Sequence, residues 1–358
     1  VEPDVTSDAV VIGAGPAGSV AARELARRGA PVLLVDRATF PRSKVCGCCL
    51  NAAALATLDA IGLGHVPAEC GAVSLKRVRL AAGRRSAELT LPGGAAVSRE
   101  AFDAALVREA EAAGVIFRPG TLVRSPPADA VTVLATGLAG SDVRPDPRSR
   151  LGAGVVVPAD GAPDFYAPGT VYLATGRGGY VGLVRVEGEK LAVAAALDAA
   201  FVKSAGGLGP AAETVLASVG WPLVPGLAES PWKGTPALTR TPVAVAGRRW
   251  FAVGDAAGYV EPFTGEGMAW AVASAAAVAP LVVKALAGWD DRFVREWQRT
   301  HARLVGRRQR VCRVVARVLR LPALTGLAVR LLASLPFLAR PTVAALNRPP
   351  AIPHGPPA

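Results

Sequence analysis

Three glycines in the run GAGPAG, Gly13, Gly15 and Gly18, have the G-x-G-x-x-G spacing that lets backbone approach a phosphate closely. That spacing has a chemical meaning only between a strand and a helix, and both are present. Ala9-Val10-Val11-Ile12 is a short apolar run, and SVAARELARRG after the glycines has helical composition. A second apolar run, PVLLV, ends at Asp36, a carboxylate placed to accept hydrogen bonds from a ribose. Gly13 permits the turn, Gly15 admits a pyrophosphate, and Gly18 lets helix and strand pack. The helix start adds unpaired N–H groups and partial positive charge. The unit therefore predicts a bound dinucleotide, held by Gly13, Ala14, Gly15, Pro16, Ala17, Gly18, Asp36 and Arg37.

A second concentration of reactive groups lies in PRSKVCGCCL, where Cys46, Cys48 and Cys49 account for three of the five cysteines. Zinc ligands come as separated pairs, and the sequence offers no second cysteine pair and only His65, His301 and His354, so no metal is expected. Five scattered thiols do not make a disulfide framework. Small residues lining a tight turn remain the plainest reading, with a covalent cysteinyl cofactor or a strained Cys48–Cys49 disulfide as alternatives.

The third stretch is WFAVGDAAGYVEPFTGEGMAWA, residues 250–271. Strand-like Trp250–Val253 leads into Gly254 and Asp255, followed by Pro262, Gly265, Glu266, Gly267 and Met268 at the opening of an Ala-rich helix. Here the sequence resembles the flavoprotein superfamily that contains p-hydroxybenzoate hydroxylase, geranylgeranyl reductases and flavin-dependent halogenases. The resemblance implies FAD, with Asp255 on the ribityl chain and the P-x-x-G-x-G segment beside the flavin ring. A helix starting at Gly267 directs positive potential toward that ring, which carries negative charge when reduced. The same resemblance, extending over about residues 8–290, assigns Arg99 in VSREAFDAAL to FAD contact. It places Gly137, in VTVLATGLAG, in the second nucleotide motif, where Thr136 replaces the usual Asp. PRSKVCG resembles the P-R-x-K-x-C-G loop of the geranylgeranyl reductase branch. Lys44, Cys46 and Gly47 thereby become cavity wall beside the flavin, with Cys48 and Cys49 as space-filling neighbours.

These segments must be positioned by a larger frame. The expected fold is α/β: a doubly wound, Rossmann-like FAD-binding domain with an inserted β-sheet substrate domain and a helical C-terminal cap. Residues 1–70, 98–150 and 245–290 are assigned to the FAD domain. Residues 71–97 and 151–244 are assigned to the substrate domain, because SLKRVRL, SAELTLP, TVYLAT, YVGLVRV and KLAVAAAL read as strands. In the substrate domain Tyr180 is all that remains of the aromatic Y-x-W-x-F-P motif of geranylgeranyl reductases. Cys46, Tyr180 and Glu266 are the candidate catalytic groups. A carboxylate at Glu266 near a flavin gains a raised pKa by desolvation and could act as a general acid, or it simply favours the helix start.

The basic C-terminal region, 291–346, carries nearly all of the chain's net charge of +12: twelve arginines, no lysine and a single acid, Glu296, lie between Arg292 and Arg340. Arg310, Arg313, Arg317 and Arg320 fall on one helical face, with valines and leucines on the other. Such a helix either packs over the substrate domain or lies on an anionic membrane. A basic run without stacking aromatics argues against nucleic acid. The tail, 347–358, is Pro-rich and expected to be disordered. Met268–Val283 is interrupted by Pro280 and reads as a buried helix. The opening VEPDVTSD lacks a basic and apolar leader, so a cytoplasmic location is expected, peripheral on the inner membrane face if the tail engages lipid.

With no Ser/His/Asp set in view, the chemistry belongs to the cofactor. The leading expectation is an NAD(P)H-dependent monooxygenase acting on an apolar or aromatic small molecule, lipid or polyketide-like. Its rival is a flavin-dependent reductase of isoprenoid or lipid C=C bonds. A third reading is a non-catalytic flavin-holding protein that docks on membranes or partners.

Overall fold

The computed structural model describes residues 7–139, 143–261, 263 and 265–349. Pro262, expected beside the flavin, and residues 350–358 of the expected disordered tail lie outside the described residues.

The apolar runs that flank the glycine turn form the middle of a six-stranded sheet. Its spatial order is Ala246–Gly247, Trp250–Ala252, Val131–Leu134, Ala9–Ile12, Val32–Val35 and Ile116–Arg118. All pairings are parallel except that of Ala246–Gly247 with Trp250–Ala252. Both Ala9–Ile12 and Val32–Val35 are buried along their whole length, as continuous apolar text in a parallel sheet requires. The order reverses at Ala9–Ile12, whose two neighbours are Val32–Val35 and Val131–Leu134. The crevice at the carboxyl ends of the strands is where such sheets bind ligands.

Helices Pro16–Ala26, Arg99–Ala112 and Gly267–Ala287 pack together on one face of this sheet. On the other face Val10, Ile12, Leu33 and Val35 are covered by Val123 and Ala130 from the loop before Val131–Leu134. The helix Gly267–Ala287 has the length and mean hydropathy of a membrane-crossing segment, 21 residues at 1.8, yet is mostly buried inside the fold.

A second sheet has seven strands in the order Lys233–Ala237, Leu151–Pro158, Lys190–Leu197, Gly179–Val186, Thr170–Gly176, Arg77–Ala82 and Arg85–Thr90. Thr170–Gly176 pairs parallel with Arg77–Ala82; the other neighbours are antiparallel. An aromatic knot of Phe165, Tyr166, Tyr172 and Trp221, with centroids 5.1–6.5 Å apart, fills its far side. A short three-stranded sheet, Cys49–Asn51, Gly94–Ala96 and Val73–Ser74, joins the cysteine loop to this region.

The arginine-rich region is helical: Arg292–His301, Arg307–Val318, Pro322–Ser334 and Arg340–Asn347. Trp297 is fully buried and donates its indole N–H to Ala252 O, which fixes the first of these helices to the edge of the nucleotide sheet. Farther on, Val315 and Leu319 pack against Tyr180, Ala196 and Leu238 of the substrate sheet. The apolar face predicted for this helix therefore meets protein. Arg320 turns inward to Glu261 (3.4 Å) and Asp198 (3.6 Å), joining a buried pair between Arg150 and Glu261 at 3.0 Å.

Candidate active site

One cavity of about 1790 Å3 runs from the glycine turn, between the two sheets, to the C-terminal helices. Single-ligand pockets are typically about 300–1,000 Å3, so this one has room for a dinucleotide and a second molecule. Gly13, Gly15, Pro16, Ala17, Asp36, Arg37, Lys44, Cys46, Gly47, Arg99, Gly137, Asp255, Gly265, Gly267 and Met268 all line it, as does Tyr180. Three other expected cofactor residues, Ala14, Gly18 and Gly254, stand behind this wall. Gly18 packs so closely on Gly13 that a Cβ there would overlap the Gly13 carbonyl. Gly254 donates its N–H to Ser274 Oγ at 2.9 Å.

The phosphate end is built from uncapped backbone and cations. Gly15 precedes the helix Pro16–Ala26, and no side chain caps its first N–H groups. A Cβ placed on Gly15 would meet only the ends of Arg99 (3.3 Å) and Arg42 (3.6 Å). Arg99 is buried and held bidentately by Asp103, at 2.7 and 2.8 Å. Arg42 reaches Asp103 at 3.4 Å and Asp36 at 3.5 Å, while its buried Nε has no partner among the described residues. Lys44 lies against Gly137, its Nζ 2.7 Å from where a Cβ would be. Its pKa is lowered, first by burial and then by Arg99. Asp255 is shifted the other way: burial raises its carboxyl, opposed by Lys44, Arg99 and Arg240. A pyrophosphate fits here because it would add negative charge to a group of buried cations and supply an acceptor for Arg42 Nε.

Asp36 has a double task. Its Oδ2 accepts from Ala14 N at 2.8 Å and its Oδ1 from Ala38 N at 2.9 Å, so the carboxylate that closes the motif also fixes the turn. Arg37, Thr121 and Leu122 line the same end of the cavity.

The cysteine loop forms the wall between this end and the apolar end. All five cysteines are free thiols. Cys48 sits at φ 56°, a left-handed backbone that turns the loop, and its Sγ lies 3.7 Å from Cys46 O. Cys46 has its pKa lowered to about 6, by hydrogen bonding to the Cys48 thiol and, against the effect of burial, by the charge of Arg99. Cys49 is pushed up to about 12 by burial. The loop thus holds one acidic thiol among thiols that stay protonated.

Tyr180 is buried, with its ring edge-on to Phe263 at 5.0 Å and 5.7 Å beneath the Arg150 guanidinium. Tyr259, a residue the sequence pattern did not single out, lines the cavity close to Gly267. Burial raises both phenols well above their usual value, so they remain neutral hydrogen-bonding groups. Arg42 and Arg240 were also missed as site residues. Arg42 stands inside the PRSK loop, whereas nothing local marks Arg240, which donates to Leu138 O at 2.7 Å and faces Asp255.

Glu266 departs from its expected position as a general acid. It is fully buried, absent from the cavity wall, and turned to the C-terminal region: the Cys312 thiol donates to its Oε2 at 3.2 Å, and Arg308 Nη1 is 4.0 Å from its Oε1. Its neighbours Gly265 and Gly267 line the cavity, while its own side chain turns toward Cys312 and Arg308. These contacts hold two elements together.

Residues 6–171 match the family model described as the FAD binding domain. The menaquinone reductase of Mycobacterium tuberculosis (strain ATCC 25618 / H37Rv) is 40% identical over 117 residues, covering 31% of this chain and 28% of that protein. The chain thus matches little more than a quarter of that relative's length. Among solved structures, flavin-dependent brominase Bmp2 superposes with a TM-score of 0.74 at 15% identity, covering 95% of this chain and 93% of that one. Halogenase PltM, in complex with phloroglucinol and FAD, gives 0.72 at 14% identity, covering 95% and 85%. At such identities the likeness is one of fold.

Proposed function

We propose that this chain, a member of the FAD-dependent oxidoreductase superfamily, is a reductase that acts on an unsaturated lipid of the isoprenoid class, with NAD(P)H as the reductant. The carrying observation is the continuity of the cavity. Beyond Cys46 its walls are Val78, Leu80, Leu89, Val171, Leu173 and Leu183 of the seven-stranded sheet, closed by Val318, Val329 and Leu346 from the C-terminal helices. An apolar channel of that kind suits a long hydrocarbon chain better than a compact phenol. The name of the mycobacterial relative, a menaquinone reductase, supports the same substrate class.

When bound, FAD supplies hydride transfer. The protein's own residues do the rest. Arg42, Lys44, Arg99 and the Gly15 backbone would hold the cofactor's pyrophosphate, and Asp255 its ribityl end. Gly265 and the N-terminus of Gly267–Ala287 would lie toward the ring, where a helix end favours negative charge. The apolar walls exclude water and align the substrate. Hydride addition to a C=C bond also requires a proton, which a neutral phenol on the cavity wall, Tyr180 or Tyr259, would supply.

Anaerobic turnover of menaquinone with chemically reduced flavoprotein tests the reading. A product that, after reoxidation of its quinol ring to the quinone, still carries two extra hydrogens in the isoprenoid side chain is expected without O2; reduction of the ring alone overturns the C=C assignment. Turnover that requires oxygen and places an atom of labelled O2 in the product overturns it in favour of hydroxylation.

A further inference from the structure

We propose that the C-terminal helices dock this protein on an anionic lipid bilayer, with the apolar end of the cavity opening onto that surface. The first observation is an unpartnered apolar face. Leu321, Leu324, Leu327, Leu331 and Leu335, spaced by three and four residues, are 41–52% exposed along and beside the helix Pro322–Ser334, and Phe337 follows at 52%. Outside the C-terminal helices, large apolar side chains this exposed occur singly among the described residues. The buried side of the same helix is complete without them: Val329 is 4% exposed, and Thr325 Oγ1 donates to Val318 O at 3.0 Å. At Pro336 the chain bends by 116° into the next helix, so the apolar text lies as two short segments, neither long enough to span hydrocarbon.

The second observation is charge. Arg310, Arg317, Arg330 and Arg340 are exposed and have no carboxylate partner among the described residues, in a stretch, Arg292 to Arg340, whose single acid is Glu296. Apolar residues interspersed with unpaired arginines match acyl chains below anionic headgroups. They do not match a second copy of this chain, because pairing two such faces would bring arginines together.

The third observation ties the face to the cavity. Val314 and Leu338 line the cavity and are also 58% and 47% exposed, so the opening lies among the same helices. A lipid substrate would enter from the bilayer without crossing water. The docking surface does not depend on the reaction: docking and turnover can fail separately.

The test is flotation of the FAD-loaded protein with vesicles of phosphatidylcholine alone or mixed with phosphatidylglycerol. Partition into the mixed vesicles is expected, weakened by high salt. It should fall about tenfold or more in L324D/L327D/L331D, a variant with unchanged flavin stoichiometry and circular dichroism. The R317Q/R330Q/R340Q variant should lose the preference for phosphatidylglycerol. No partition of the wild-type protein, or partition that the leucine variant leaves unchanged, overturns the proposal. So does a wild-type dimer that the leucine substitutions convert to monomer without any vesicle binding, since the occupant would then be a second copy.

Discussion

The Cys312 thiol lies 3.2 Å from the Glu266 carboxylate, joining the helix Arg307–Val318 to the residue that opens Gly267–Ala287. Burial raises the Glu266 pKa above its ordinary 4.5, opposed by the Cys312 hydrogen bond and the charge of Arg308. A carboxyl whose folded pKa is raised favours folding while protonated. Its contribution is complete below the unfolded value and is lost as pH rises through the folded one. Thermal unfolding of the wild type should therefore lose stability as pH climbs from about 4.5 through the raised value, by ~1.4 kcal/mol per unit of separation. Glu266→Gln should remove that slope. Parallel curves for the two proteins would show that Glu266 does not titrate as its burial requires.

The two glycines at the turn should respond differently to a methyl group. Gly18→Ala places Cβ against the Gly13 carbonyl and should lower Tm of the apoprotein by several degrees, corresponding to about 1–3 kcal/mol. Gly15→Ala meets only flexible arginine ends, so apoprotein stability should hardly change. Its methyl occupies the approach to the phosphates, and FAD affinity, read by flavin fluorescence, should fall by about tenfold or more. Equal effects of the two substitutions on apoprotein stability would contradict the assignment.

Arg42 holds over the turn a buried Nε with no partner among the described residues. Arg42→Gln should weaken FAD binding by about 1.5–3 kcal/mol, the range for a hydrogen bond to a charged group. It should also flatten the dependence of FAD affinity on salt, as expected when a cation leaves a phosphate site. Titration of the apoprotein with FAD at two ionic strengths measures both.

Cys46 should be the most readily alkylated thiol of the apoprotein. Iodoacetamide labelling, followed by mass spectrometry, should rise through a midpoint near pH 6, while Cys49, held up to about 12, stays unmodified at neutral pH. Arg99→Met should shift the Cys46 midpoint upward, and bound FAD should do the same by neutralising Arg99. A midpoint near 8.5, the ordinary value for a free cysteine, would remove Cys46 as the acidic group of the loop.

The nucleotide end was legible in the sequence because its parts are local. The strand Ala9–Ile12, the three glycines and Asp36 lie within 28 residues and fold as one unit. Arg99 was reached by resemblance, but its lock on Asp103 follows from an i,i+4 spacing within one helix and could have been read directly. What escaped is what depends on distant partners. Glu266 sits at a helix start, and nothing in its neighbourhood says that its carboxylate will face a thiol 46 residues later. Arg320 belonged to a predicted solvated stripe, yet it turns to Glu261 and Asp198, which come from other elements. The exposed leucines 324, 327 and 331 are indistinguishable in sequence from the buried Val329, because the face a short helix presents is set by the sheet it lies on.

The parallel pairing of Thr170–Gly176 with Arg77–Ala82 governs how the molecule assembles. Between those partners the chain passes through the helix Arg99–Ala112, which packs on the other sheet, and through the strands Ile116–Arg118 and Val131–Leu134 within it. Closing a loop of that length is slow and yields no contact energy until its ends meet. A nascent chain released too early would expose the unpaired edge of Arg77–Ala82. The roof therefore closes on itself only across a stretch of chain that belongs to the floor.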